Sequence, residues 1–127
     1  MTRTPLEPLL RASLPWLLAV LLLAITAQIA FATTGLLSRP AFLGPHRSMA
    51  PWLTGLAGLA AAVALLARDG RVAIGCVAIL ALLLAEGPLI RSVGLVRSLH
   101  AVVALAAFAI ALLLLRDRLP RRREAAP

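Results

Sequence analysis

Four long apolar runs, set apart by short polar interruptions, organise the chain. The first, Leu14 to Leu37, is twenty-four residues without a charge, which at the helical rise is enough to cross a hydrocarbon core of about 30 Å. Pro15 suits its first turn, where the missing N–H has no partner to lose, and Trp16 suits the headgroup zone. Gly35 and the Ser38-Arg39 pair before Pro40 mark its end. The second run reaches about Ala67 and begins either near His46 or nearer Ala50. Pro51 makes the start ambiguous, because inside a helix its ring clashes with the carbonyl of Arg47 and deletes a hydrogen bond. A start at Pro45 implies a kink, and a start at Ala50 leaves His46 on a loop. Gly55, Gly58 and Ala62 give this run a small-residue face that lets another backbone or a flat ligand approach.

Arg68-Asp69-Gly70-Arg71 is too short for anything except the turn of an antiparallel helical hairpin. The third run then spans Val72 to about Ile90 and holds Glu86, the one acid inside an apolar stretch, followed by Gly87-Pro88. A turn with Arg91 and Gly94 leads to the fourth, about Leu95 to Leu115. The pattern therefore predicts an all-α, antiparallel four-helix transmembrane bundle over 14–116, with helices at about 14–37, 46–67, 72–90 and 95–115. Residues 1–13, with Pro5 and Pro8 among Arg3, Glu7 and Arg11, read as a polar arm, and 117–127 as a basic tail. A signal peptide competes for the first run, since Arg3 and Arg11 form an n-region and Ala30-Phe31-Ala32 imitates a cleavage site. Its apolar part is longer than an h-region, which favours a retained helix.

Composition removes the soluble alternatives. Of 127 residues 61% are hydrophobic and 14% charged, with a mean hydropathy of +0.97, more apolar surface than a globule of this length buries. The net charge of +8 comes entirely from arginine, since lysine is absent. That balance resembles a nucleic-acid binder's until the arginines are placed between and beyond the apolar runs, where they decide topology. Nucleic acid is accordingly excluded as a partner. Arg3, Arg11, Arg68, Arg71, Arg116, Arg118, Arg121, Arg122 and Arg123 share one face, while Arg39, Arg47, Arg91 and Arg97 share the other. The richer face is cytoplasmic by the positive-inside rule, so both termini lie in the cytoplasm. Lysine-free, alanine-, leucine- and arginine-rich usage suggests a GC-rich bacterial genome and hence a bacterial inner membrane. One cysteine, Cys76, excludes an intrachain disulfide and a cysteine metal cluster.

This topology gathers the polar residues of the spans at the outer face: Gln28, Thr33 and Thr34 on the first, Glu86 on the third, and His46 and His100 at the outer ends of the second and fourth. Ionisable groups at membrane depth tend to face the bundle interior or a water-filled cavity, so a shared polar pocket is expected. Neutral imidazole is an axial ligand for haem iron, and two parallel helices of a bundle can each offer one. Ala50, Ala101, Ala104 and Ala107 leave room for a porphyrin, and Arg47, Arg91 and Arg97 can meet its propionates. The plainer alternative makes each histidine an interfacial residue without a ligand. Glu86 reads first as an acid paired with an arginine such as Arg91, and second as a proton carrier or a partner for an imidazole N–H. Gln28 reads as an interhelical hydrogen-bonding group. On sequence spacing, His100 lies about a turn deeper than His46 unless the second helix starts before His46.

The order Gln28, Gly35, Arg39, His46-Arg47 and Leu99-His100 resembles one four-helix half of the haem A synthase family, and also small bacterial four-helix membrane proteins with paired histidines. The resemblance covers about Gln28 to Leu115, with His46-Arg47 and Leu99-His100 as its specific elements. It implies that His46 and His100 are a bis-histidine ligand pair for one b-type haem on the outer side. It also implies a glutamate three residues before the first histidine, where this chain has Leu43, and a second four-helix half that this sequence lacks. Haem binding for electron transfer or haem handling is thus the expectation, without a catalytic constellation: two protein ligands leave iron no open position. The alternative is a cofactor-free subunit or assembly factor packing against a larger membrane complex. A small proton-coupled exporter ranks last, because the acid it needs deep in the first helix is missing.

Overall fold

The computed structural model describes residues 6–119 apart from 92–94, and the backbone but not the side chains of 90, 91 and 95–98. It contains four long helices and, among the described residues, no strand: α1 (Glu7–Leu37), α2 (Leu43–Leu66), α3 (Gly70–Arg91) and α4 (Leu95–Arg116). All four are long and apolar enough to cross a membrane. The protein is a multi-pass, all-α four-helix membrane bundle. In lipid every backbone amide needs a partner within its own segment, which is why the apolar runs are helical throughout.

The helices form a ring in which α1 packs on α2, α2 on α3, α3 on α4 and α4 back on α1. Two diagonals remain, α1 to α3 and α2 to α4. On α1 the buried positions beyond Glu7 are Leu14, Leu18, Leu21, Ile25, Gln28 and Gly35, which with Ala32 recur every three or four residues. That 3.5-residue period is the seam of a left-handed bundle. The other helices meet this stripe with small side chains, Ala57, Ala60, Ala61 and Ala64 from α2, Ala73 and Cys76 from α3, and Ala107 and Ala111 from α4. Close approach supplies the packing that hydrophobicity alone does not supply between helices in lipid. Gly55 and Gly58 take no part in it. A Cβ added to either meets nothing within 4 Å, so their small-residue face turns away from the chain's own helices.

Helix α1 begins seven residues before the expected Leu14, at Glu7, so most of the predicted polar arm is helical and Pro15 lies inside the helix. Glu7 is buried, forms an i, i+4 ion pair with Arg11 at 3.0 Å, and occupies the first turn, where a carboxylate complements the helix dipole. Arg11 Nε donates at 3.1 Å to the carbonyl of Ala67, which ties the arm to the end of α2. Residues 1–5 and the tail beyond 119 lie outside the described residues.

The turn joining α2 to α3 closes with paired bonds, Arg68 N–H to Leu65 O and Asp69 N–H to Ala64 O, the Schellman arrangement. It places Arg68 at a φ of 53°, the left-handed region that usually takes glycine. Asp69 then caps α3 through its Oδ1, which accepts from Val72 N–H at 3.3 Å. It also pairs with Arg118 beyond α4, while Arg71 pairs with Asp117 at 2.7 Å. One charged face therefore joins the start of α1, the α2–α3 turn and the end of α4.

At the opposite face α1 ends at Ser38, and a short 3-10 turn, Pro40–Phe42, leads into α2. Phe42 stacks on Phe31 with ring centres 6.1 Å apart, which holds the turn against α1. Gly35 is needed here, because a Cβ in its place would sit 2.7 Å from Leu43 Cδ2, 2.8 Å from Leu43 Cγ and 3.2 Å from the Leu43 backbone nitrogen. Helix α2 starts before His46 and keeps Pro51 in its interior, so His46 is helical and the Arg47 carbonyl gives up its helical partner.

Two variants check these joints. Gly35→Ala forces Leu43 away from α1 and is expected to lower stability by about 1–3 kcal/mol, read as thermal unfolding in detergent. Asp69→Ala removes a cap and an ion-pair partner and is expected to cost about 1–2 kcal/mol. Burial pushes the Asp69 carboxyl up, but the Arg118 hydrogen bond, the Val72 N–H and the charges of Arg118 and Arg11 outweigh it and hold the pKa below the ordinary 3.8. A depressed carboxyl stabilises the fold above its unfolded value, so the difference between the two proteins should persist at neutral pH and shrink only below pH 3.8.

Candidate functional site

His46 lies in the first turn of α2 and His100 in the second turn of α4, on two helices that face each other across a diagonal of the ring. The early start of α2 removes the offset of a turn that sequence spacing suggests. Their rings meet with centroids 6.1 Å apart and planes at 87°. The bundle thus brings together the two histidines that lie 54 positions apart in the sequence.

His46 is oriented from α1. Its Nδ1 donates to the backbone carbonyl of Gln28 at 3.1 Å, a carbonyl that has a second lone pair beyond the one used in its helix. With the proton on Nδ1, Nε2 carries the free lone pair. An imidazole that hands one N–H to a carbonyl and keeps the other nitrogen as acceptor is in the state that metal ligation requires.

Two cavities share the histidines as a wall. One, of about 290 Å³, opens between α1 and α4 and is lined by Ile25, Gln28, Ile29, Ala32, Leu53, Leu83, Glu86, Ala104 and Ala107, among others. The second, of about 480 Å³, opens between α2 and α3 and adds Arg47, Ala50, Pro51, Thr54, Leu84 and Gly87. The predicted small residues thus fall on both sides of the pair, Ala101, Ala104 and Ala107 on one and Ala50 on the other. Gln28 and Glu86 line both cavities.

Gln28 occupies a position of the apolar seam, is 6% exposed, and its Oε1 has no hydrogen-bond partner among the described residues. Thr33, on the same helix, turns its hydroxyl back to the Ile29 carbonyl at 2.8 Å, so that donor stays within α1. Of the arginines expected to meet propionates, Arg47 is exposed and lines the second cavity. The side chains of Arg91 and Arg97 lie outside the described residues, and with Arg91 goes the expected pairing of Glu86. Among the described residues no group of three or more His, Cys, Asp or Glu side chains is arranged to hold a metal ion.

Sequence reasoning missed Leu53 and Leu83, the inner walls of both cavities, and the Gln28 carbonyl that orients His46. The leucines carry a signal only in their helical phase, and a main-chain acceptor carries none. No family model, no curated protein and no solved structure matches the chain.

The unpartnered amide gives a direct check. Gln28→Leu replaces an unsatisfied buried polar group by an apolar one of similar length, and in the ligand-free protein it is expected to raise stability by about 1–3 kcal/mol. A fall in thermal stability would show that the amide is already satisfied.

Proposed function

We propose that this is a bacterial inner-membrane protein, with its termini in the cytoplasm, that holds one b-type haem between His46 and His100 for electron transfer or haem handling. The observation that carries the reading is the diagonal histidine pair with its 6.1 Å separation. Each imidazole lines both cavities, so a metal macrocycle held there would find one nitrogen ligand on α2 and one on α4. A flat macrocycle coordinated there has a cavity on each side of the pair to enter.

The residues divide the work. His46 and His100 would hold the iron, with the Gln28 carbonyl fixing the His46 tautomer. Arg47, at the mouth of the second cavity, suits a propionate, because guanidinium and carboxylate pair through two parallel hydrogen bonds. Leu53, Leu83 and the alanines exclude water from the ring. When bound, the haem would supply one-electron chemistry, and the apolar lining of the cavities would bear on its potential. The same pairing of residues underlies the likeness to a half of the haem A synthase family, without the acid that Leu43 replaces.

The deciding measurement is a reduced-minus-oxidised absorbance spectrum of the protein purified in detergent after expression with ample haem. A Soret and an α band are expected for the parent chain and are expected to vanish in His46→Ala and in His100→Ala. Absence of both bands from the parent overturns the reading. A stoichiometric membrane partner that co-purifies unchanged with both variants would instead identify a packing subunit.

A further inference from the structure

We propose that the cavity between α1 and α4 binds a lipid-soluble quinol, whose hydroxyl donates to Gln28 Oε1. Four observations carry this. Gln28 lines the cavity from the buried seam of α1; its side-chain oxygen is buried and has no partner among the described residues, and a buried acceptor beside an apolar cavity calls for a donor. The donor is not Thr33, whose hydroxyl is used by Ile29. The body of the site is apolar, through Ile25, Ile29, Ala32 and Leu36 of α1 and Ala104 and Leu105 of α4. Leu36 and Leu105 are also exposed on the outer surface of the bundle, at 73% and 58%, so the cavity reaches the lipid between these two helices.

Charge then narrows the ligand. Among the described residues no arginine lines this cavity, Arg47 belonging to the other one, so an anionic head has no counter-charge here. The side chains of Gln28 and Glu86 both offer oxygen acceptors to the same space. A neutral ring bearing two hydroxyls on an apolar tail matches two acceptors, an apolar body and entry from the bilayer. A haem periphery of methyl, vinyl and carboxylate groups supplies no such donors. The site is one of the two cavities that the proposed haem would also enter, so quinol and haem are alternative occupants of it, and quinol binding is read on protein whose absorbance shows no haem.

The test is titration calorimetry of the full chain in lipid nanodiscs, with empty nanodiscs subtracted, using a decyl benzoquinol kept reduced and its dimethyl ether. Saturable binding of the quinol is expected, with binding of the ether weaker by about tenfold. Gln28→Leu, expected to fold at least as well as the parent, should weaken quinol binding by about the same factor and leave ether binding unchanged. Equal affinities for quinol and ether, an unaffected Gln28→Leu, or no saturable binding would each overturn the proposal. Absorbance of the same samples reports haem separately, so a failure of one reading is visible without the other.

Discussion

The approach of α2 to Gly35 is the contact on which the site depends. Because α1 carries no side chain there, Leu43 can lie against its backbone, and the helix that follows starts early enough to contain His46. The Phe31–Phe42 stack holds the intervening turn. From that corner the imidazole reaches back to the Gln28 carbonyl, two turns down α1. A backbone contact, a ring stack and a main-chain acceptor together set the direction of one side chain, and none of the three involves a charge. The precision of the site is a packing property in a medium where packing, rather than the hydrophobic effect, holds helices together.

The two ends of the bundle are built from different materials. At the terminal face Glu7, Arg11, Asp69, Arg71, Asp117 and Arg118 join three segments by ion pairs, a cap and the hydrogen bond from Arg11 to the Ala67 carbonyl. The exposed Arg71–Asp117 pair contributes little by itself, but Asp69 is more shielded and is half of a helix cap as well as half of a pair. At the other face the described structure has apolar walls, two cavities and an amide without a partner. The two cavities described above lie at the end that is not stitched together by charge.

Much of the architecture was legible because lipid leaves few choices: four apolar runs of sufficient length separated by arginine give four spans almost by counting. That His46 and His100 share one face was legible too, since parallel helices of a bundle place equivalent ends together, but that their rings meet came only from the structure. The first helix was misjudged at its start, where Pro8 and the charges of the arm read as interruption. Glu7 and Arg11 stand four apart, with Pro8 in the first turn, and those are helix signals; a rule that admits no charge into a span overlooks them. Pro51 left the start of α2 open, because local sterics alone do not say whether tertiary contacts outweigh a lost hydrogen bond. The Gln28 carbonyl could not be read at all, since main-chain acceptors are the same at every position.

The ring closes between its first and last helices, and this bears on how the protein is made. During synthesis α1, α2 and α3 can assemble as soon as they enter the bilayer, with His46 already held by α1. The diagonal partner and the fourth wall arrive only with α4. Until then the interior surface of the future cavity, from Ile25 to Leu36, lies open to the membrane. The last helix to insert therefore supplies the wall that turns this stripe of α1 from a lipid-facing surface into one side of a cavity.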